Sequence, residues 1–152
     1  MTAKYDRDGI SFQYPDNWSF EEAPKTGFPR TISVTSEDGA FWSATLYLQD
    51  QQLKQLQHQY IETLEQEYEE VEIDDVEFPL GDETILATDL QFYCLDFLVH
   101  SRLIATQVGR HQALIAWQAE DRDFDKLEPV FQAITFSLFQ SVSGSTRPTN
   151  EK

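Results

Sequence analysis

The first third of the chain alternates apolar and polar residues with the two-residue period of β-strands. Across residues 9–22 this alternation is interrupted by the turn formers at 15–17. We therefore predict a strand, a turn and a strand here, followed by a loop over 23–30. A hairpin is expected next, with strands over 31–36 and 41–48 joined at Glu37-Asp38-Gly39.

Apolar residues at spacings of three and four predict an amphipathic helix over residues 51–68. The expected buried stripe consists of Leu53, Leu56, Tyr60, Leu64 and Tyr68. Asp50 is the expected N-cap, because its carboxylate can accept a hydrogen bond from the first turn. His58 is expected on the polar face, about 200° around the helix from Leu56.

Residues 84–119 are rich in predicted strand, and Gly109-Arg110 suits a two-residue type II′ hairpin turn. The register set by this turn pairs Val108 with His111, Thr106 with Ala113, Ile104 with Ile115 and Arg102 with Trp117. The other face carries Leu103, Ala105, Leu114 and Ala116. Because both faces are largely apolar, we expect both to be covered. The predicted fold class is α+β, an antiparallel sheet flanked by helices.

A closing helix is predicted from the capping-box spacing of Asp125 and Glu128. Pro129 would then lie within the first turn or just past it, where a missing N–H is best tolerated. The expected buried stripe is Leu127, Phe131, Ile134 and Leu138. Residues 140–152 have the composition of a flexible tail, so we predict one domain over residues 1–139.

The segment 93–99 admits two interpretations. It reads Tyr-Cys-Leu-Asp-Phe-Leu-Val, without Gly or Pro, which favours one continuous core strand. If the chain instead turns inside this segment, it exposes an apolar tip, and such a patch marks a partner site. Within the continuous strand, Cys94 is expected to be a small buried hydrophobe rather than an activated nucleophile.

The composition favours a globular protein with an acidic surface. There are 27 acidic and 11 basic residues, for a formal net charge of −16, while 40% of residues are hydrophobic. This charge disfavours nucleic acid and anionic membranes and favours a basic partner. The single cysteine excludes an internal disulfide. The chain start lacks a secretory signal and no run of about 18 apolar residues occurs, so we expect a cytoplasmic protein.

The stretch Gly9-Ile10-Ser11-Phe12-Gln13-Tyr14-Pro15-Asp16-Asn17-Trp18 resembles the opening of PsbP-like proteins. The order of predicted elements over residues 9–139 is also similar to that superfamily. It includes extrinsic subunits of photosystem II, a yeast Ran-binding transport factor and bacterial domains of unknown function, some of them chaperones for secreted effectors. The resemblance implies an α/β/α sandwich that usually has no catalytic activity. It carries no functional residue over to this chain.

We predict no catalytic, cofactor or metal site. The six glycines are isolated, so no glycine-rich phosphate loop exists. The predicted hairpin places His100 opposite Ala119, about 26 Å from His111, so these histidines cannot share a metal ion. Surface or edge positions are expected for the histidines.

An acidic run is the most unusual feature of the sequence. Between residues 62 and 77 it contains nine carboxylates and no Lys or Arg: Glu62, Glu65, Glu67, Glu69, Glu70, Glu72, Asp74, Asp75 and Glu77. The run lacks the central Gly of a calcium loop. Carboxylates at a helix C-terminus oppose the helix dipole. We therefore predict a partner-binding surface formed by Glu65, Glu67, Glu69, Glu70, Asp74 and Asp75. A purely solvated face is the alternative.

Two functions are compatible with these observations. The first is a non-enzymatic protein-binding module, an adaptor or chaperone-like accessory factor with an acidic surface. The second is a small-ligand-binding protein or an enzyme without a recognisable motif, with a pocket between sheet and helix. The aromatic residues Trp42, Trp117 and Phe92 would suit such a pocket, and they suit an ordinary core equally well.

Overall fold

Nine strands and two helices follow one another along the chain in the computed structural model, which describes residues 1–48 and 51–146, with side chains to residue 142. The strands of the first half are β1 (Thr2–Arg7), β2 (Ile10–Pro15), β3 (Ser19–Ala23), β4 (Arg30–Thr35) and β5 (Phe41–Tyr47). The remaining elements are α1 (Leu53–Glu67), β6 (Glu72–Leu80), β7 (Glu83–Cys94), β8 (Phe97–Val108), β9 (His111–Glu120) and α2 (Asp121–Thr146).

Seven of the strands form one antiparallel sheet in the order β3-β4-β5-β9-β8-β7-β6. The long hairpin β8–β9 lies at its centre, and β3 and β6 are the edge strands. The predicted α+β architecture is confirmed, since helices pack on both faces of this sheet. Within the described residues, no helix is long and apolar enough to cross a membrane.

The predicted register of the Gly109-Arg110 hairpin is confirmed. Val108 pairs with His111 and Ile104 with Ile115. Gly109 has a φ of 60°, the left-handed region that a type II′ turn requires of its first central residue. The turn residue therefore fixes which side chains of β8 and β9 share a face.

The two faces of the sheet carry separate apolar cores. On one face, Ile104, Ile115 and Trp117 pack with Phe131 of α2 in the larger core. On the other face, Leu103 and Leu114 pack with Leu56 of α1. The alternation along β8 and β9 thus sends successive residues to opposite helices, as predicted from their apolar patterns.

The strand-turn-strand predicted over residues 9–22 exists, but its two strands do not pair with each other. Strand β2 pairs with β1, which was not predicted, through a turn in which Asp8 and Gly9 have φ of 55° and 81°. Strand β3 pairs with β4 at the edge of the large sheet. The β1–β2 ladder instead packs beside α2, where Ser137 Oγ accepts a hydrogen bond from the Gln13 backbone N–H at 2.9 Å.

Helix α1 confirms the predicted amphipathic helix with slightly shorter bounds. Its N-cap is Gln52, which makes no side-chain capping hydrogen bond, and the predicted cap at Asp50 lies outside the described residues. Leu56 is its one buried residue. His58 lies on the exposed face, as expected. The helix therefore packs on the sheet along a narrow apolar stripe centred on Leu56.

Helix α2 begins earlier and ends later than predicted. It starts at Asp121, directly after β9, so Pro129 is inside the helix rather than in its first turn. Phe124, which is 1% exposed, extends the buried stripe one turn upstream. The helix also continues through residues 140–146, which were predicted to be tail; residues 147–152 lie outside the described part of the chain.

Candidate functional site

The chain turns between β7 and β8 at Leu95-Asp96, so the preferred prediction of one continuous strand over 93–99 is wrong. Cys94 pairs with Phe97 across this turn. Tyr93, Leu95 and Phe97 are 64%, 89% and 51% exposed. The alternative interpretation, an exposed apolar tip, is confirmed. We call these three residues the tip surface.

Leu95 occupies a backbone conformation that is unfavourable for its side chain. Its φ is 58°, in the left-handed region, where a residue with a Cβ pays about 1 kcal/mol or more. Gly or Asn would fit this position better. Neither the backbone conformation nor burial therefore explains a leucine at this position. A residue that departs from the local conformational preference without stabilising the fold points to a function.

A groove of about 540 Å³ lies next to the tip surface. It is bounded by the β4–β5 turn, the β7–β8 turn, the end of β9 and the start of α2. Its apolar lining includes Cys94, Leu95, Phe97, Val99, Ala119 and Leu127. Its polar lining includes Asp38, Gln118, Glu120, Asp123 and Lys126. We call this cavity the tip groove.

Cys94 is half-buried in the wall of the tip groove rather than fully buried as predicted. The turn that follows it brings the thiol to the end of the strand instead of the middle of the core. Burial, together with the neighbouring Cys94 thiol, raises the pKa of the Tyr68 hydroxyl. Tyr68 in turn stacks on Phe92 with ring centroids 4.4 Å apart. The thiol thus lies at the boundary between the α1 side of the core and the groove.

The acidic run does not form one surface. Glu65 and Glu67 are in the last turn of α1, which contains no basic residue, while Glu69 and Glu70 follow the helix end. Asp74 and Asp75 lie on β6, an edge strand that was not predicted. Successive residues of a strand face opposite ways, so these last two point to opposite faces of the sheet.

Every carboxylate of the acidic run is exposed. Within residues 1–48 and 51–146, the run makes one ion pair, between Glu62 and His58 at 3.7 Å. Charges on an edge strand also prevent edge-to-edge pairing with another sheet. The β6 carboxylates therefore have a structural explanation that the helix-end carboxylates lack.

Sequence reasoning missed a polar cluster between the sheet and α2. Arg102 is 9% exposed and donates from Nε and Nη2 to both oxygens of Asp89, at 2.6 and 2.9 Å. Its Nη1 donates to Glu128 at 2.6 Å. Burial alone would raise the pKa of Asp89, but hydrogen bonds from Arg102 and His100 outweigh it and hold that pKa below its ordinary value. This cluster links the first part of α2 to the sheet by hydrogen bonds.

The histidines are less exposed than expected, except for His58. His100 lies 2.8 Å from Asp89 and stacks on Phe124 with ring centroids 3.8 Å apart. His111 stacks on Phe28, and burial, followed by the charge of Arg30, lowers its pKa. Their separation along the ladder is as predicted, with His100 opposite Ala119 and His111 opposite Val108. Among the described residues, no group of three or more His, Cys, Asp or Glu side chains is arranged to hold a metal ion.

The fold is shared with solved structures at low sequence identity. The chain is similar to the PsbP protein of the cyanobacterium Synechocystis sp. PCC 6803, with a TM-score of 0.59, 11% identity and 90% of each chain covered. The chain has the PsbP-like fold. The chain is also similar to PA94 of Pseudomonas aeruginosa, a protein of unknown function described as a putative regulator, with a TM-score of 0.51, 12% identity and coverage of 90% of this chain and 95% of that one. No protein-family model and no curated protein matches the sequence. At these identities the PsbP-like likeness establishes the fold alone.

Proposed function

We propose that this protein is a non-enzymatic protein-binding module, an accessory factor that contacts its partner through the tip surface. The observation that carries the proposal is the 89% exposure of Leu95 at a backbone position unfavourable for leucine. Exposed apolar groups that contribute nothing to folding are typical of interaction sites. Tyr93 and Phe97 lie on either side of this turn and face opposite sides of the β7–β8 hairpin, so each exposes one aromatic ring beside Leu95.

The acidic surface supports the same proposal by a different mechanism. A net charge of −16 accelerates encounters with a basic partner and repels acidic ones. Glu65, Glu67, Glu69 and Glu70 cluster around the end of α1, where carboxylates oppose the helix dipole. We keep these four as the proposed electrostatic docking surface. Asp74 and Asp75 on β6 face opposite sides of the sheet, so in the proposal they add to the negative field around it rather than to one contact surface.

The apolar part of the proposal is tested with Leu95→Asn. Asn tolerates a positive φ, so the variant should be as stable as the parent or slightly more so, while the tip surface loses its anchor. Leu86 is the matched control, since it is 74% exposed on the same strand near the opposite turn, and Leu86→Asn removes a comparable apolar group.

The readout is site-specific photo-cross-linking in the source cells. A photoreactive amino acid at position 97 should give discrete protein adducts, and one at position 86 should not. The partner identified by cross-linking is then purified, and its binding to each variant is measured. Leu95→Asn should weaken this binding, whereas Leu86→Asn should not. Equal binding by both variants would remove the tip surface from the proposal.

The electrostatic part is tested by replacing Glu65, Glu69 and Glu70 with Gln and Asp74 with Asn. We expect slower association with the same partner at low salt and little change at high salt, since charges beyond about 8 Å are screened at physiological ionic strength. Stability should rise by a few tenths of a kcal/mol, because the helix end loses an unfavourable charge. An association rate indifferent to both substitution and salt would show that the run is a solvated face.

A further inference from the structure

The tip groove is suited to one apolar side chain from a partner. Val99 and Ala119, which are 8% and 4% exposed, line it together with Phe97 and Leu127. Val99 pairs with Glu120 and Ala119 with His100, so these two residues face opposite sides of the sheet and the groove lies at the end of the β8–β9 ladder. An apolar group entering there would be removed from water without displacing any side chain of the core.

The rim of the groove is acidic. Three carboxylates, of Asp38, Glu120 and Asp123, line the groove together with one ammonium group, that of Lys126. The ammonium lies 3.4 Å from Asp123, and Arg122 Nε lies 3.3 Å from Glu120. Both cationic side chains are 77% exposed, so a partner's cation can replace either at little cost. A cation near this rim meets a net negative field, which the charge of the whole protein reinforces.

We propose that the tip groove binds an extended partner segment in which an apolar side chain is flanked by Lys or Arg. This inference rests on the proposed function and specifies the chemistry of the partner. The apolar side chain enters between Val99 and Leu127, and the flanking cations pair with Asp38 and, in place of Arg122, with Glu120. A segment with acidic flanks is repelled, and a basic segment without an apolar group lacks an anchor.

Cys94 provides a reporter of occupancy, because it is the only cysteine of the sequence and lines the groove. The full chain is alkylated with iodoacetamide, and the rate is followed by mass spectrometry with and without three synthetic peptides. The first is Gly-Lys-Leu-Lys-Phe-Lys-Gly. The second has Glu in place of Lys, and the third has Gly in place of Leu and Phe.

We expect the first peptide alone to slow alkylation in a saturable manner. Equal protection by the acidic peptide would overturn the charge argument. Equal protection by the peptide without apolar residues would overturn the anchor argument. No protection by any of the three would overturn the inference as a whole, and it would leave a small ligand as the remaining candidate for the groove.

Matched variants separate the rim from the net charge. Replacing Asp38 and Asp123 with Asn and Glu120 with Gln should lower the affinity for the first peptide about tenfold, since each exposed ion pair contributes about 0.2–1 kcal/mol. The control replaces Asp16 and Asp82 with Asn and Glu83 with Gln, three exposed carboxylates outside the groove, with the same change in charge. Equal loss of affinity in both would assign the effect to net charge and refute a specific rim.

Failure of this inference is distinguishable from failure of the proposed function. If position 97 cross-links to a protein while no peptide protects Cys94, the module binds its partner through the tip surface without using the groove. If the first peptide protects Cys94 while no cellular protein cross-links at position 97, the groove recognises this chemistry without the proposed function.

Discussion

Arg102→Ala is expected to destabilise the protein by about 3–5 kcal/mol, because it leaves the Asp89 carboxylate partly buried without its main partner. The guanidinium holds Asp89 by two hydrogen bonds and Glu128 by a third, so its loss also frees the start of α2 from the sheet. Arg102 additionally lies over the rings of Phe78 and Phe124, at 5.6 and 5.4 Å from their centroids. Urea unfolding at pH 7 measures the change.

The control for this variant is Arg122→Ala. Arg122 is 77% exposed and pairs with Glu120, so its removal should change stability by less than about 0.5 kcal/mol. If the two arginine variants lose equal stability, the polar cluster around Arg102 does not stabilise the attachment of α2 to the sheet.

The effect of Arg102→Ala should also depend on pH. The folded state holds the pKa of Asp89 below its unfolded value, so this stabilisation is present above about pH 4, the ordinary range of a carboxyl group, and is lost as the pH falls through the folded pKa. In the variant the carboxylate has lost its main partner, and protonation relieves the penalty. The stability difference between parent and variant should therefore shrink in acid. A difference that is constant from pH 7 to pH 3 would assign the loss to packing alone.

The centre of the sheet could be predicted from sequence because two independent signals agree there. The period-two pattern of β8 and β9 places Ile104 beside Ile115, and a glycine stands where a two-residue turn needs a positive φ. A register shift by one residue would have moved both isoleucines to the other face. Local turn chemistry and the long-range pattern therefore specify a single register.

Strand β6 could not be predicted, because its sequence opposes its structure. Acidic residues have low strand propensity, and four of them lie between Glu72 and Glu77. Pairing with β7 overrides that propensity, and inward-facing Val76 and Phe78 anchor the strand in the core. The earlier start of α2 was available in the pattern, because Phe124 precedes Leu127 and Phe131 at helical spacing.

The candidate site was only half predictable. The apolar segment 93–99 was visible, but its turn was not, because the residue with the positive φ is Leu95 rather than Gly or Asn and Asp96 is the only turn former beside it. The groove beside it depends on the β4–β5 turn and on α2, which are more than 20 residues from it along the chain. Only the assembled sheet brings these three regions together.

The Asp89–Arg102 pair could be predicted only in part from the sequence. The predicted register already placed Arg102 opposite Trp117, on the face that carries Ile104. A charged residue on an apolar face needs a buried partner of opposite charge. That partner could not be identified, because the pairing of β7 with β8 depends on the turn at Leu95-Asp96 that the sequence did not reveal.

Phe131→Ala is the second variant with a large expected effect, a loss of about 3–5 kcal/mol. Phe131 is fully buried, and its ring lies 6.0, 5.9 and 6.2 Å from those of Trp18, Trp117 and Phe124. The cavity left by the ring cannot close, since its neighbours belong to the turn before β3, the sheet and α2 itself. Because each kcal/mol shifts the melting temperature of a protein of this size by about 2–4 °C, thermal unfolding should show a decrease of about 10 °C.

Phe136, on the same helix, is the matched control for Phe131. It is 38% exposed, and its ring lies beside Gly81 in the β6–β7 turn, where a Cβ would meet the ring at 2.7 Å. Phe136→Ala removes the same atoms from a site that is already hydrated, so it should cost much less than Phe131→Ala. If the two alanine variants melted at the same temperature, α2 would not be held by the core that Phe131 shares with Trp18 and Trp117, and its attachment would depend on the Arg102 cluster instead.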